Sequence, residues 1–373
     1  MGMHLSYWER KSWFSNIDFT IIGSGIVGLN CALALRNTYP AARILVVEKG
    51  TLPQGASTKN AGFACFGSIS EILSDLRHHT EQEVQNLVQD RFKGIQVLRS
   101  LVGDTALGFK KYGGHELFLA NQAQLFQTCK EQLKRVNELL YPIFQGNAFS
   151  VQPNHFGFKE IEKEYISHAY EGQIDTGSMM KSLVLLALKQ HITILNSITV
   201  RDFEDMGHHV VVRTNEVEFN SKKLIIATNG FAKQLLSEEV QPARAQIVLT
   251  KPIPGLNIKG TFHLEEGFYY FRNIENRILL GGGRNMDFKT EETTEFGTTA
   301  LIEDKLKLLL QTVILPHTPF EIDMKWSGIM GVGPQKKPII KKVTDNVACG
   351  VRLGGMGIAI GANVGRQAAD LFK

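Results

Sequence analysis

Three glycines and one acid near the start of the chain have the spacing of a dinucleotide-binding site. Gly23, Gly25 and Gly28 lie within six residues, and Glu48 comes 20 residues after Gly28. Gly23 permits a tight turn, Gly25 lets a pyrophosphate approach the backbone, and Gly28 lets a helix pack closely on a strand. A carboxylate at Glu48 can accept hydrogen bonds from both ribose hydroxyls and would repel a 2′-phosphate, which disfavours NADP.

The segments around these residues supply the elements that must position them. Residues 17–22 form a short apolar run typical of a strand, residues 29–36 have helical spacing, and residues 44–47 form a second apolar run. The predicted helix begins at the glycines, so its N-terminus offers free N–H groups and a partial positive charge to phosphates. The order strand, glycine turn, helix, strand and acid therefore predicts an adenine dinucleotide, either FAD or NAD.

Two later segments favour FAD. Residues 222–226 form an apolar strand that ends in the small, glycine-closed turn 227–230, and residues 347–365 are rich in glycine and lead into a helix-like run. In many flavoproteins the glycine motif lies near the N-terminus and the chain returns much later to complete the site. The two segments fit such returns, so we predict FAD.

Four blocks of the chain carry a more specific resemblance. Residues 55–63 resemble the second flavin signature of the D-amino-acid oxidase and glycine/sarcosine oxidase family. Residues 326–328 with 338–340, and then residues 354–358, resemble its C-terminal flavin segment, and residues 269–282 resemble its substrate-domain hairpin. The blocks keep the family's order from about residue 17 to the end, and the bacterial γ-glutamylputrescine oxidoreductase-like branch is the most similar.

The resemblance implies noncovalent FAD, because Gly328 stands near the place where sarcosine oxidases attach their flavin through a cysteine. The small polar side chains of residues 57–60 could donate to phosphate and flavin oxygens. A helix that starts at residues 357–358 would stabilise the negative edge of a reduced flavin. The predicted FAD-binding residues are Gly23, Gly25, Ile26, Val27, Gly28, Glu48, Lys49, Ser57, Thr58, Asn60, Ala61, Gly62, Val200, Thr228, Asn229, Gly230, Gly328, Gly354, Gly355, Met356, Gly357 and Ile358.

We predict the α/β class, with a Rossmann-type FAD-binding domain and an inserted α+β substrate domain that carries an antiparallel sheet. The predicted FAD-binding domain is discontinuous and comprises residues 17–90, 145–235 and 322–373; the substrate domain comprises residues 91–144 and 236–321. The spacing of apolar residues predicts helices over 69–103, 122–141, 173–190 and 300–310, with Asp175 as an N-cap. It predicts a strand over 192–201 and antiparallel strands over 261–264, 268–271 and 277–281.

Three residues are the candidates for the catalytic site: Tyr269 and Met330 by resemblance, and Arg272 as a replacement for a charge that Met330 lacks. Tyr269 matches a substrate-contacting tyrosine of the family, and Tyr270 would point to the opposite face of a regular strand. Met330 stands where glycine oxidase-like members bring an arginine to the substrate carboxylate. This departure favours an amine without a free α-carboxylate, unless Arg272, Arg284 or Arg352 replaces the charge.

The predicted reaction is the oxidation of a small amine or amino acid by hydride transfer to flavin N5, with oxygen or another acceptor taking the electrons. The lysine that activates oxygen in sarcosine oxidases falls near Leu279, so fast reaction with oxygen does not follow. An FAD-dependent 2-hydroxy-acid or polyol dehydrogenase on the same fold stays open as an alternative. A non-catalytic flavoprotein and an NAD-dependent enzyme also stay open.

Composition narrows the class further. The 373 residues are 43% hydrophobic with a net charge of +4 and no basic run interleaved with aromatics, which does not indicate nucleic-acid binding. The four cysteines form no CxxC motif, which suggests a reducing compartment and no metal site. No stretch reaches transmembrane length, and residues 1–16 lack the apolar core of a secretory signal. We therefore expect a cytoplasmic protein.

Overall fold

The strands divide the chain into two large sheets. The structure is a computed structural model, and it describes residues 4–373. The strands are β1 (Ile17–Ile22), β2 (Ile44–Val47), β3 (Phe63–Ala64), β4 (Gly114–Glu116), β5 (Phe149–Pro153), β6 (Glu164–His168), β7 (Gly172–Gln173), β8 (Thr193–Leu195), β9 (Val200–Asp205), β10 (Val210–Thr214), β11 (Glu218–Ile226), β12 (Gln241–Thr250), β13 (Thr261–Leu264), β14 (Tyr269–Ile274), β15 (Arg277–Gly282), β16 (Ile322–Val332), β17 (Ile339–Lys342) and β18 (Val347–Val351).

The helices pack mainly around the first sheet. They are α1 (Tyr7–Glu9), α2 (Ile26–Thr38), α3 (Ala56–Lys59), α4 (Ile69–Leu76), α5 (Glu81–Val102), α6 (Asp104–Leu107), α7 (Ala123–Phe144), α8 (Thr176–Lys189), α9 (Phe288–Glu291), α10 (Ala300–Leu309) and α11 (Gly357–Asp370). A π-helical turn, Arg10–Phe14, extends α1, and another, Leu310–Ile314, extends α10. Tight packing of α11 on α2 depends on Gly365, where a Cβ would lie 2.5 Å from the Val27 carbonyl oxygen.

The first sheet has the parallel centre that a dinucleotide-binding fold requires. Its order is β17-β18-β11-β1-β2-β8, and β18, β11, β1, β2 and β8 are all parallel to their neighbours in this run. The carboxyl ends of β1, β2 and β11 therefore lie at one edge, where ligands of such sheets bind. The hairpin of β9 and β10 continues from β11 in antiparallel fashion.

The second sheet is mostly antiparallel and has the order β16-β12-β15-β14-β13-β4-β6-β5. One face packs on α10, in a core that includes Phe262, Phe271 and Leu306. The opposite face, which we call the site face, packs on the segment after α3 through Tyr270, Leu279 and other residues. The site face is thus turned towards the segment that resembles the second flavin signature. The predicted fold class is confirmed.

Sheet membership differs from the predicted domain limits at three strands. The prediction assigned β5, β6 and β16 to the FAD-binding domain, but all three lie in the second sheet. β16 lies in the second sheet because it pairs with β12 along its whole length, from Gln241↔Val332 to Thr250↔Ile322. An 11-residue strand therefore crosses from the substrate sheet to the flavin segment.

Two predicted elements are each divided in the structure. The predicted helix over 69–103 is α4 and α5, because Thr80 caps a new helix and forms a capping box with Glu83. The predicted strand over 192–201 is β8 and β9, separated at Ser197, which adopts a positive φ of 61°. The N-cap at Asp175 is confirmed: its side chain accepts a hydrogen bond from Ser178 N at 2.7 Å.

Candidate active site

The glycine turn has the close contacts that its spacing predicts. Gly23 has a φ of +103°, and a Cβ there would lie 3.0 Å from the Ala227 carbonyl oxygen at the end of β11. A Cβ on Gly28 would lie 1.9 Å from the Gly23 carbonyl oxygen. Only glycine therefore lets α2 start this close to β1.

Ser57 lies at the N-terminus of α2. Gly25 is the N-cap and has no side chain to cap the helix, and Ser57 Oγ accepts the hydrogen bond from Ile26 N at 2.9 Å instead. The second flavin signature thus meets the glycine turn, where backbone N–H groups and the helix dipole attract phosphate. Ile26 and Val27 are buried, so only their backbone faces the turn.

Glu48 is held at the end of β2 by backbone and side-chain donors. Its carboxylate accepts hydrogen bonds from Ser24 N at 3.0 Å, Ser24 Oγ at 2.8 Å and Gly50 N at 3.0 Å. The Lys49 ammonium lies 3.5 Å from the centroid of the Phe231 ring, and burial lowers the pKa of Lys49. Ile198 N donates to the Glu48 carbonyl oxygen at 2.9 Å, which brings the segment that leads into Val200 alongside.

Thr58 and Asn60 hydrogen-bond within the turn. Thr58 Oγ1 donates to the Pro53 carbonyl oxygen at 2.7 Å. The Asn60 amide donates to the Ser57 carbonyl oxygen at 2.9 Å, and its Oδ1 accepts from Gly62 N at 2.7 Å. These bonds shape the turn that carries Ser57, and donation from Thr58 and Asn60 to phosphate or flavin oxygens stays a prediction.

Asn229 connects the end of β11 to the C-terminal segment. Its Oδ1 accepts a hydrogen bond from Leu353 N at 3.1 Å, and it has a positive φ of 45°. Gly230 packs on β16, where a Cβ would lie 2.6 Å from the Met330 carbonyl oxygen. The neighbouring Thr228 Oγ1 is buried and has no hydrogen-bond partner among residues 4–373. The end of β11, the strand β16 and the C-terminal segment thus meet at Asn229 and Gly230.

The C-terminal glycine turn leaves open space in front of a helix. A Cβ on Gly354, Gly355 or Gly357 would meet no atom within 4 Å, and α11 starts at Gly357 with Met356 as its N-cap. Met356 Sδ lies 3.8 Å from Cys65 Sγ, and Ile358 is buried in the core. Open glycines and the free N–H groups of a helix start fit the flavin edge that the resemblance assigns to this turn.

Gly62 and Arg272 bring the flavin signature into contact with the second sheet. Gly62 has a φ of +73°; a Cβ there would lie 2.5 Å from the Ile174 carbonyl oxygen and 3.2 Å from Arg272 Nη2. The protein backbone alone therefore requires glycine at this position, and contact of Gly62 with FAD stays a prediction. The neighbouring Ala61 packs on the site face with Leu279.

Arg272 is buried without a partner. Its side chain extends from the site face of β14, the residue is 6% exposed, and Nε has no hydrogen-bond partner among the described residues. Burial lowers the pKa of Arg272 to about 10, while the charge of Asp175 opposes that shift. A guanidinium still charged at neutral pH, with unused donors beside Gly62, is suited to bind an anion.

Tyr269 lies on the wrong face for the predicted role. It is 1% exposed in the core below α10, and the Lys305 ammonium lies 5.7 Å from its ring centroid. Tyr270 is on the site face: its ring packs edge-on against Phe63 at 5.7 Å and covers Gly281. The alternation of strand side chains was predicted, but its assignment to Tyr269 is wrong.

Trp326, Gly328 and Met330 line one side of β16 where it crosses the flavin signature. Trp326 Nε1 donates to the Lys59 carbonyl oxygen at 3.0 Å, and a Cβ on Gly328 would lie 3.2 Å from Lys59 Cβ. Gly328 therefore serves the packing of β16 on α3. Met330 follows on the same side of the strand and brings no charge to it.

The other two candidate arginines have structural partners. Arg352 donates from Nε to the Lys337 carbonyl oxygen at 3.1 Å and from Nη1 to the Glu239 carbonyl oxygen at 3.4 Å. The Arg284 guanidinium stacks 4.8 Å from the Phe288 ring centroid. Of the three arginines considered from the sequence, Arg272 alone reaches the flavin signature.

Two buried residues near the site, His263 and Glu171, are not among those predicted from the sequence. His263 lies on the site face as the cross-strand partner of Tyr270, and its ring packs edge-on against Phe63 at 5.3 Å. Its Nε2 lies 3.9 Å from Glu171 Oε2, and both residues are buried. The sequence does contain a signal for His263: it is a histidine within an apolar strand, opposite Tyr270 in the predicted hairpin, so its side chain would lie on the same face as that of Tyr270.

Comparison with known proteins decides the family. A sequence model of the DAO family, described as FAD dependent oxidoreductase, matches residues 18–371. The chain belongs to this family. It is 22% identical to glycine oxidase of Geobacillus kaustophilus over 281 residues, which cover 71% of this chain and 69% of that protein. FAD dependence and oxidoreductase activity on amines or amino acids are thereby confirmed.

Solved structures share the fold over nearly the whole chain. L-proline dehydrogenase of P. horikoshii superposes with a TM-score of 0.75 at 16% identity and covers 96% of this chain and 93% of its own. Iminodiacetate oxidase of Chelativorans sp. BNC1 gives a TM-score of 0.72 at 19% identity, with coverages of 95% and 94%. Between residues 4 and 373, none of the helices is both long and apolar enough to cross a membrane.

Proposed function

We propose that this FAD-dependent enzyme oxidises an amino acid whose carboxylate is bound by Arg272. The observation that carries the proposal is the buried, unpartnered guanidinium beside Gly62. An isolated buried charge is costly unless it is paired, and a bound carboxylate would supply the pair.

The proposal reverses the preference for an amine without an α-carboxylate. That preference rested on Met330, which places no charge on β16. Arg272 places the charge on β14 instead, on the same sheet face as Leu279 and Tyr270. Because β14 and β16 are different strands of the sheet, the sequence of β16 alone could not predict that an arginine on β14 would supply the charge.

No carboxylate of residues 4–373 forms an ion pair with Arg272. The negative charge of Asp175 raises the pKa of Arg272, which opposes the effect of burial. The Asp175 Oδ1 is used to cap α8, where it accepts a hydrogen bond from Ser178 N. The free donors are therefore available to a ligand.

The names of the relatives agree with this chemistry. Glycine, proline and iminodiacetate, which those proteins are named for, all combine a carboxylate with an amine nitrogen next to a carbon that carries hydrogen. The shared part of these molecules is the part that Arg272 would recognise.

FAD, when bound, would supply an acceptor for the hydride of the substrate α-carbon. The residues of this chain orient the substrate for that step. Arg272 would hold the carboxylate, the Tyr270 hydroxyl could add one hydrogen bond, and the apolar side chains of Leu249 and Leu279 exclude water from the sheet face. The helix start at Gly357 offers N–H groups to negative charge that develops beside it.

An anaerobic panel tests the proposal. The purified holoenzyme is mixed with glycine, sarcosine, proline and iminodiacetate, with the carboxylate-free amines methylamine and benzylamine, and with glycolate, which keeps the carboxylate and lacks the amine. Bleaching of the flavin absorption by one or more of the amino acids, and slow or absent bleaching by the amines and glycolate, is the expected result. Faster bleaching by the plain amines would overturn carboxylate recognition, and bleaching by glycolate would favour the hydroxy-acid alternative.

A further inference from the structure

A row of buried polar side chains crosses the site face beside Tyr270. The register aligns Glu116 of β4, His263 of β13 and Tyr270 of β14. Glu171, in the turn between β6 and β7, lies against this row and is 1% exposed.

Glu171 is held so that one oxygen is free. Its Oε1 accepts hydrogen bonds from Phe66 N at 2.7 Å and Gly67 N at 3.4 Å, while Oε2 faces His263 Nε2 at 3.9 Å. A Cβ on Gly114 would lie 1.8 Å from Oε2, so the carboxyl group can occupy this place only above a glycine. The arrangement directs one carboxyl oxygen to the imidazole.

The imidazole of His263 makes no hydrogen bond through the nitrogen that faces Glu171. This Nε2 is buried and has no hydrogen-bond partner among residues 4–373. Its ring contacts Phe63, which in turn contacts Tyr270 on the site face. The pair therefore reaches from the buried interior to the edge of the proposed substrate site.

We infer that His263 and Glu171 together accept the proton that the substrate's ammonium group must lose before oxidation. An N–H bond of the ammonium group breaks, a bond to hydrogen forms on the pair, and the electron pair stays on the amine nitrogen. His263, packed on Phe63, receives the proton, and Glu171 stabilises the protonated imidazole. This inference rests on oxidation of an amine and does not depend on carboxylate recognition by Arg272.

The electrostatics of the pair suit this exchange as the pH rises through about 8. Burial raises the pKa of Glu171 to about 8, and burial lowers the pKa of His263. Above that pH the Glu171 carboxylate is ionised and can stabilise a protonated His263, whereas at neutral pH both groups are mostly uncharged. The titratable and charged groups packed around the pair are Cys65, Glu71, Arg91, His115, Glu116, His168 and Tyr270.

The main test is the pH dependence of anaerobic flavin reduction at saturating substrate, in wild type and in Glu171→Gln. The substrate is whichever compound of the panel reduces the flavin best, so a failure of carboxylate recognition does not affect this test. In wild type the rate should rise between pH 6 and pH 9. In Glu171→Gln it should fall by about 100-fold at pH 8, the size of a general-base contribution. It should recover to within about threefold near pH 10, where an amine loses its own proton to water.

A structural role would give a different result. Loss of packing alone would lower the rate of Glu171→Gln by the same factor at every pH, and that outcome overturns the inference. Glutamine keeps the oxygen that accepts from Phe66 N, so folding should survive. His263→Asn serves as the second variant and should show the same recovery at high pH. The matched control is His115→Asn, on the neighbouring strand: burial lowers the pKa of His115 to about 4, so it stays neutral in this window and its loss should leave the profile in place.

A second readout does not depend on turnover. ¹³C-labelled histidine spectra of the holoenzyme identify the His263 signal by its loss in His263→Asn. The pKa of His263 measured from this signal should change when Glu171 is replaced by glutamine, because the carboxyl group that faces the imidazole has become an amide. A His263 signal that titrates identically in wild type and Glu171→Gln would contradict the pairing.

Discussion

Arg272 Nη2 lies 3.2 Å from the point that a Cβ would occupy on Gly62, which joins the second sheet to the flavin signature. Because Gly62 has no side chain, the guanidinium can lie against the backbone that the resemblance places beside the flavin. In the proposed site, the second sheet would hold the substrate charge and the segment after α3 would contact the cofactor, through groups that lie side by side.

Replacing Arg272 should weaken recognition of amino acids selectively. Arg272→Met keeps much of the side-chain volume and removes the charge, and hydrogen bonds to charged groups contribute about 1.5–3 kcal/mol, or roughly 10- to 150-fold. We expect that loss in substrate binding, with the flavin spectrum retained. Arg284→Met is the control and should leave substrate binding near wild type. Equal losses for amino acids and plain amines would point to a general defect.

Tyr270, not Tyr269, should affect turnover. Tyr270→Phe keeps the ring on Gly281 and removes one hydroxyl, so the rate of flavin reduction should fall by about 2- to 12-fold, the effect of one neutral hydrogen bond. Tyr269→Phe should leave the rate near wild type because that side chain lies in the core under α10. The opposite pattern would show that β14 is shifted by one residue relative to β13.

FAD binding should depend on Gly25 and Glu48 and should be noncovalent. A Cβ on Gly25 would lie 2.9 Å from Ser57 Oγ, so Gly25→Val should displace the cap of α2 and give largely apoprotein. Glu48→Ala should weaken FAD binding about tenfold or more, from the loss of a charge-assisted hydrogen bond. Acid precipitation should release all the yellow colour; colour retained in the pellet would disprove noncovalent attachment.

The reduced enzyme should react slowly with oxygen. Leu279 is buried on the site face beside Ala61, at the place where the resemblance expects the oxygen-activating lysine. Stopped-flow reoxidation of the substrate-reduced enzyme should be slow compared with its reoxidation by an added dye acceptor. Leu279→Lys should accelerate the reaction with oxygen, and Leu279→Met, which adds no charge, should not.

The sequence predicts the cofactor half of the site better than the substrate half. The contact of Gly28 with Gly23 arises within one short βαβ unit, so the spacing of the glycines predicts it, whereas Gly23 and Gly25 also contact Ala227 and Ser57 from later parts of the chain. The role of Arg272 and the face of Tyr270 depend on how β14 pairs with β13 and on which side of the sheet meets residues 59–63. Glu171 and His263 are 92 residues apart in the chain, and only the folded sheet brings them together.

The most direct measurement is the titration of the oxidised holoenzyme with redox-inert carboxylates, followed by the flavin absorption spectrum. Acetate and benzoate keep the carboxylate of the proposed substrate, and acetamide and benzamide are their uncharged counterparts. We expect the carboxylates to perturb the spectrum until it saturates and the amides to leave it unchanged, and we expect Arg272→Met to lose the response while retaining FAD. Equal binding of acids and amides, or an unchanged response in Arg272→Met, would contradict carboxylate recognition by Arg272.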